Sequence, residues 1–356
     1  MDLSVPTRFD ERDWERPVPD APLRLAVVGL GWFGRDIAIP GIERSDYCDL
    51  GAVVSGDIEK AERVASERGA RALTYDEYAD GVGADAYDAV YVVTPNALHL
   101  PHVETAADLG KAVICEKPLE ATAERARKIV EACDRAGVEL MTAYRMQATR
   151  SVRWVRERIR DGVVGDPVQV HGEFSFDLLA DGDPDQWRLD PDLAGGGALV
   201  DIGVYPLNTA RFLLDSDPIS VRADAVERPP EFDGVDEHVA VQLAFPDGTT
   251  ASCTASYGAA NANRLSVLGT EGRIVVEPIY DFDADRTITV ERDGASVTVD
   301  ADEPSDIVEE FDYFAAGVLT DHDIEPDGAD GVVDVELIEA VYESDESGRR
   351  VELDPR

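Results

Sequence analysis

The sequence predicts an α/β protein in two parts: a doubly wound parallel sheet, followed by an α/β part with a large, open, mostly antiparallel sheet. Three observations predict it. Short apolar runs alternate with helical patterns from Leu25 to Ala143. The first run leads directly into a glycine-rich turn, Gly29-Leu30-Gly31-Trp32-Phe33-Gly34. From Val168 onward the apolar residues instead alternate with period two.

The first strand, Leu25–Val28, and the G-x-G-x-x-G turn after it read as the opening of a dinucleotide-binding Rossmann domain. Gly29 permits the tight turn, Gly31 the approach of a pyrophosphate, and Gly34 close packing of helix on strand. The second strand, Leu50–Val54, ends in Ser55-Gly56-Asp57-Ile58-Glu59-Lys60. An acid here would hold a ribose 2′-hydroxyl, but the Ser55 hydroxyl and the Lys60 ammonium suit a 2′-phosphate better. Asp57 reads as the N-cap of a helix Ile58–Arg68. NADP is therefore expected over NAD. The alternative for Lys60 is a solvated helix residue.

A strand Ala89–Val93 enters the turn Thr94-Pro95-Asn96, and a helix Leu100–Leu109 follows. His99 and His102 are three apart, but no carboxylate or cysteine nearby completes a ligand set, so no metal is expected. The next strand, Ala112-Val113-Ile114-Cys115, stops abruptly at Glu116-Lys117-Pro118. In a doubly wound sheet, ligands bind beyond the carboxyl ends of the strands, where Lys117 stands. The plainer reading of Glu-Lys-Pro is an ordinary strand exit. Against it, only Lys60, Lys111, Lys117 and Lys128 are lysine among 33 basic residues. A compact ammonium kept at a strand tip in such a chain points to chemistry. The proline also allows a cis Lys117–Pro118 bond. A helix Ala123–Ala136 and a sixth strand, Glu139–Ala143, complete this half, with the boundary near Tyr144.

The period-two strands are Val168–Phe176, His238–Phe245 and Thr249–Tyr257. One of their faces carries Gln169, Ser175, Ala240, Gln242 and Ala244. Neutral residues there, in so acidic a chain, suggest a covered face, by another subunit or by a helix of the same chain. Between these strands lie Gln186-Trp187-Arg188 and Ala194-Gly195-Gly196-Gly197-Ala198-Leu199-Val200-Asp201-Ile202-Gly203-Val204-Tyr205. The glycines let backbone approach a ligand. Asp201 and Tyr205, four apart, share a helix face, although Pro206 forces a kink or a first-turn position. Taken singly, Asp201 reads as a cap and Tyr205 as a core aromatic. Strands Thr287–Val290 and Ser296–Val299 and helices Ile307–Leu319 and Val332–Tyr342 close the chain. The last helix is placed to pack back on the first domain. The expected divisions are an arm over 1–22, the dinucleotide-binding domain over 23–144, and a substrate-binding and oligomerisation domain over 145–356.

Charge bounds the partners. The 356 residues hold 74 acids against 33 bases, a net charge of −41, with the acids spread through every element. Such a coat disfavours nucleic acid and anionic membranes. It also repels itself unless screened, and at 1 M salt the Debye length is only about 3 Å. The scarcity of lysine and the acid coat together read as a protein of a halophile's high-salt cytosol. A hydrophobic content of 44% is ordinary for a folded protein. Cys48, Cys115, Cys133 and Cys253 lack CxxC spacing and read as reduced core thiols. The polar amino-terminal stretch has no apolar signal segment and no run is long enough to span a membrane, so a cytoplasmic location is expected.

With these motifs together, the chain resembles the Gfo/Idh/MocA oxidoreductase family, and within it the glucose–fructose oxidoreductase branch. The resemblance runs from about Leu25 to the C-terminus and is weakest in the tail. It implies a catalytic cluster of Lys117, Asp201 and Tyr205, with tyrosine where many members carry histidine. It also implies nucleotide contacts from Gly29, Gly31, Trp32, Phe33, Gly34, Ser55, Lys60, Thr94, Pro95, Asn96, Glu116, Lys117 and Arg145. Ser55 and Lys60 match the residues that grip the 2′-phosphate, whereas Asp57 departs from the neutral residue of that branch. Arg145 and Trp187 would line the sugar pocket with Lys117, Asp201 and Tyr205; their plainer readings are a surface cation and a core aromatic. The implied reaction oxidises the anomeric hydroxyl of an aldopyranose to the lactone. Tyr205 takes the proton, Lys117 favours the tyrosinate and polarises the sugar oxygen, and Asp201 orients. Similar enzymes include NADP-dependent D-xylose 1-dehydrogenases, the expected activity here, acting as a homodimer or homotetramer through the second sheet. The alternatives are a dehydrogenase of glucose, another aldose or a dihydrodiol, a nucleotide-retaining sugar–sugar oxidoreductase, or a nucleotide-sensing regulator without chemistry.

Overall fold

The computed structural model describes residues 5–14, 21–180, 182–320 and 322–354. These form two compact units. One comprises Arg12–Ala148 and Ser305–Val335; the other holds the segment up to Glu11, Thr149–Pro304 and the segment from Glu336.

The first unit is built on six parallel strands: β1 (Leu23–Val28), β2 (Cys48–Val54), β3 (Arg71–Leu73), β4 (Ala89–Val92), β5 (Ala112–Glu116) and β6 (Leu140–Ala143). Their order, β3-β2-β1-β4-β5-β6, is the doubly wound arrangement. The central stretches of these strands are apolar because both faces are covered, so Val27, Val53, Val90 and Ile114 are all fully buried. Asp57 caps the helix Ile58–Arg68, its Oδ1 accepting the Lys60 N–H at 3.0 Å. The short β3 has only three residues, too few for a readable apolar pattern.

The helix Asp306–Thr320 belongs to this unit, not to the second part expected for residues 145–356. Its apolar face supplies the reason. Ile307, Phe311 and Phe314 are buried, Phe311 meets Tyr91 edge-on at 5.2 Å, and a Cβ on Gly41 would come within 2.5 Å of the Ile307 side chain. The expected amino-terminal arm is packed where it is described. Trp14 is buried edge-on against Tyr313 at 5.3 Å, and Arg12 ion-pairs with Glu309 and Asp312 at 2.5 Å each.

The second unit carries nine strands: β7 (Pro167–Asp177), β8 (Ser220–Val226), β9 (His238–Ala244), β10 (Thr250–Ser256), β11 (Gly258–Gly269), β12 (Gly272–Glu277), β13 (Thr287–Arg292), β14 (Ala295–Asp300) and β15 (Val351–Glu352). The order is β14-β13-β12-β11-β7-β10-β9-β8-β15. Only β7 and β10 pair in parallel; every other pairing is antiparallel. The inner face buries Val170, Val239, Val241 and Leu243, and Gly172 lies under Pro206 of the helix Val204–Leu214, where a Cβ would come within 2.6 Å. On the outer face Gln169, Ala240 and Gln242 are exposed, Ala244 is half-buried and Ser175 is buried. Among the described residues, no helix covers those three exposed positions.

Candidate active site

In the first unit the glycine turn is shaped by contacts that exclude side chains. Gly29 has φ +110°, and a Cβ there would sit 2.7 Å from the Val93 carbonyl oxygen. A Cβ on Gly34 would lie 2.4 Å from the Gly29 carbonyl oxygen, but one on Gly31 would meet nothing within 4 Å. The turn is therefore packed from behind and open at Gly31, as a pyrophosphate cradle requires. Trp32 is exposed and Phe33 is partly buried beside it.

At the tip of β2, Ser55 is buried and its Oγ accepts the Asp57 N–H at 3.1 Å. Nearby, a cavity of about 340 Å³ is lined by Arg35, Asp36, Lys60, Arg63, Val64, Glu67 and Arg68. Four cations against two acids make it a basic pocket in an acidic chain. Arg35 is paired with Asp36 at 2.6 Å, and that guanidinium holds the Asp36 carboxyl below its usual range. The Asp57 carboxylate is turned to its own helix, whose N-terminus it caps. Arg35 and Arg63 are additions to the expected set. They stand on two different helical segments, so no linear spacing joined them.

At the tips of β4 and β5, Thr94 and Asn96 are buried, and the Thr94 hydroxyl has no hydrogen-bond partner among the described residues. His99 is wholly buried, its ring nitrogens 2.9 Å from the Thr94 carbonyl and 3.1 Å from the Leu119 carbonyl. One ring thus spans the Thr94–Asn96 turn and the turn after Lys117. Lys117–Pro118 is cis. Glu116 accepts a short hydrogen bond from the Tyr91 hydroxyl and the Lys117 N–H at 3.2 Å. Burial raises the Glu116 carboxyl above its ordinary range, and raises Glu310 beside it well above. Arg145 is buried and ion-paired to Asp306 at 2.5 Å. It is thus a buried cation, not a surface one.

In the second unit, Asp201 lies on a wide helical turn, Leu199–Gly203, that runs into the helix Val204–Leu214. Pro206 sits in that helix's first turn. The glycines before Asp201 make room for protein, not directly for ligand. A Cβ on Gly197 would lie 2.0 Å from the Asp236 carbonyl oxygen, and one on Gly196 2.1 Å from the Tyr342 hydroxyl. Asp236 is buried, accepts the Gly197 and Leu199 N–H groups at 2.8 Å each, and accepts the Tyr342 hydroxyl at 2.6 Å.

The parallel register of β7 and β10, Ser175 opposite Ser256, brings Phe174, Phe176 and Tyr257 to one end of the sheet. Asp201 Oδ2 accepts Arg188 Nε at 2.9 Å and the Tyr257 hydroxyl at 2.8 Å. The Arg188 guanidinium lies 4.8 Å from the Trp187 ring centre. Tyr205 is buried among aromatics, 5.6 Å from Phe174 and 5.7 Å from Tyr280 between ring centres. The structure thus gathers Asp201, Tyr205 and Trp187-Arg188 in one unit, while Lys117 and Arg145 belong to the other. Tyr257 and Tyr280 had no motif to announce them.

Two family models match: the oxidoreductase family with NAD-binding Rossmann fold over residues 23–144, and the GFO/IDH/MocA C-terminal domain over residues 152–275. The chain belongs to the Gfo/Idh/MocA oxidoreductase family. Among its relatives, a D-xylose 1-dehydrogenase [NADP(+)] of Haloarcula marismortui is 49% identical, the match covering 97% of this chain and 98% of the relative. A D-xylose 1-dehydrogenase (NADP(+)) 2 of Haloferax volcanii is 33% identical over 93% of this chain and 100% of its own. Among solved structures, the aldose-aldose oxidoreductase from Caulobacter crescentus complexed with glycerol aligns with a TM-score of 0.89 at 33% identity, covering 93% of this chain and 100% of that one. The fold expected for both halves, with its family, is thereby established. Among the described residues, no helix is long and apolar enough to cross a membrane.

Proposed function

We propose that the chain is an NADP-dependent aldose 1-dehydrogenase whose substrate is D-xylose, oxidised at its anomeric carbon to the lactone. The observation that carries this is the near-full-length likeness to the Haloarcula enzyme. The basic pocket at Lys60 and the open face at Gly31 support the choice of nucleotide.

Ser55, Lys60 and Arg63 would hold the 2′-phosphate; Gly29, Gly31 and Gly34 the pyrophosphate; Trp32, Phe33, Thr94, Pro95, Asn96 and Glu116 the rest of the nucleotide. Bound NADP supplies the hydride acceptor for the sugar's C1. Tyr205 takes the proton of the C1 hydroxyl. A free tyrosine, with a pKa near 10, is a poor base at neutral pH, so cations must favour its anion. Lys117 gives that support and polarises the sugar oxygen, and Asp201 fixes a sugar hydroxyl. Trp187 would cover the sugar. The buried pairing of Arg145 with Asp306 suits support of the Lys117 loop better than direct sugar contact.

The working form would be a homodimer or homotetramer in a high-salt cytosol, joined through the exposed neutral face around Gln169, Ala240 and Gln242. The test is an assay of pentoses and hexoses with NADP and NAD in molar potassium chloride, repeated on Lys60→Ala. D-xylose with NADP should give the highest kcat/KM. Lys60→Ala should raise the KM for NADP about 10- to 100-fold, the worth of one charge-assisted hydrogen bond, and leave NAD unchanged. No reduced nucleotide with any aldose would refute the reading.

A further inference from the structure

We propose that Arg35 is a specificity-determining residue for the nucleotide: its guanidinium, held by Asp36 in the basic pocket that Lys60 and Arg63 also line, passes from that carboxylate to the 2′-phosphate of NADP. The proposal rests on the NADP reading above and deepens it, adding a further cation and an acid that tempers it.

Arg35 and Asp36 open the helical run Gly34–Arg44, directly after the glycine turn. The Arg35 N–H donates to the Gly31 carbonyl at 3.1 Å, one turn beyond the open glycine of the pyrophosphate cradle. Residues adjacent in sequence do not ordinarily face each other on a helix. Here the guanidinium folds onto the next residue, its Nε and Nη2 donating to the two Asp36 oxygens at 2.7 and 2.6 Å. The two side chains are 45% and 38% exposed, so the pair contributes little by itself and is readily exchanged. A phosphate monoester carries nearly two charges at neutral pH and three acceptor oxygens, and the planar fork binds it bidentately. It is the stronger partner of the two.

The rest of the pocket shows where such an anion fits. Lys60 and Arg63 lie three apart on the helix Ile58–Arg68 and share one face. Among the described residues, neither side chain forms a hydrogen bond or an ion pair. In a chain of 74 acids and 33 bases, two neighbouring cations left without an acid repel each other unless an anion lies between them. At the far end of the pocket Arg68 is already held, by Glu67 at 2.9 Å and Glu43 at 3.2 Å. The place for a dianion is therefore the end formed by Arg35, Lys60 and Arg63, the end nearer Ser55 and the tip of β2.

The experiment is titration of the full chain with NADP and with NAD in molar potassium chloride, followed by quenching of tryptophan fluorescence, for Arg35→Gln, Arg35→Lys, Asp36→Asn and Lys60→Ala. No sugar is present, so failure of the dehydrogenase assignment leaves the outcome readable. Arg35→Gln should raise the Kd for NADP about tenfold, the worth of one charge-assisted hydrogen bond, and leave NAD within about twofold. Arg35→Lys keeps the charge but loses the fork, and should fall between parent and Arg35→Gln. Asp36→Asn should lower the Kd for NADP about two- to fivefold, the worth of an exposed ion pair, again without change for NAD. An unaltered Kd for NADP in Arg35→Gln, equal shifts for both nucleotides, or NADP binding no tighter in Asp36→Asn overturns the proposal. If Arg35→Gln does not fold, Asp36→Asn decides alone by the same criterion. Lys60→Ala separates the two levels. Unchanged NADP binding there would sink the placement of the 2′-phosphate in this pocket. Loss there with a parent-like Arg35→Gln sinks only the role of Arg35.

Discussion

Tyr205→Phe should cut kcat by about 10²- to 10⁴-fold, the usual worth of a positioned general base, while the dissociation constant for NADP stays within about twofold. The substitution removes one oxygen and leaves the ring against Phe174 and Tyr280, whose centres lie 5.6 and 5.7 Å away. Packing is therefore preserved, and loss of turnover would report on chemistry. The NADP sites proposed here, at Gly31, Ser55 and Lys60, all belong to the other unit, so their affinity is an internal control. Turnover within a few-fold of the parent would mean that another group takes the proton.

The second large effect concerns salt. Dilution from molar to about 10 mM potassium chloride should unfold or inactivate the chain, because the Debye length grows from about 3 Å to about 30 Å and exposes 74 acids to one another. Folded domains hold only about 5–15 kcal/mol, so unscreened self-repulsion across a net charge of −41 acts against a small margin. Many of the ion pairs that could offset this are themselves at the surface. Arg24–Asp88 and Arg273–Glu291 are each more than a third exposed and contribute little. Circular dichroism on stepwise dilution would check this, and an unchanged melting temperature across the range would refute it. The 49% identity to a Haloarcula enzyme accords with the expectation.

The fold was legible where the residues obey a single period. β1, β2, β4 and β5 are apolar on both faces and stop at glycine, serine or proline, so they stand out from their surroundings. β3, three residues at an edge with Arg71 exposed, offers no such contrast. β8, β11 and β12 were passed over for another reason. The half-buried sequences of β8 and β11 mix Arg222, Asp224 and Arg264 with small residues, and the apolar part of β12 is only Ile274-Val275-Val276, so only their partners fix which face is inward. The assignment of Asp306–Thr320 to the first unit was equally invisible, because an amphipathic pattern tells which face is buried but not against what.

The candidate site divides the same way. Gly34 and the Asp57 cap are local features with local reasons, the Gly29 carbonyl at 2.4 Å and the Lys60 N–H at 3.0 Å; Gly29 was legible from its motif, although the carbonyl that excludes a side chain there, Val93 at 2.7 Å, comes from the end of β4. The glycines before Asp201 were read as room for ligand, yet Asp236 and Tyr342, 39 to 146 positions further on, fill that room. Tyr257 was seen only as the end of a strand. Its bond to Asp201, 56 positions away, depends on the parallel register of β7 and β10, which no motif encodes.

The most direct test of the central claim is to follow the hydrogen on C1. With D-xylose deuterated at C1, the chain in molar potassium chloride should form NADPH carrying one deuterium at nicotinamide C4, and xylonolactone as the sugar product. Unlabelled NADPH, or a product oxidised at any other carbon, would contradict the account.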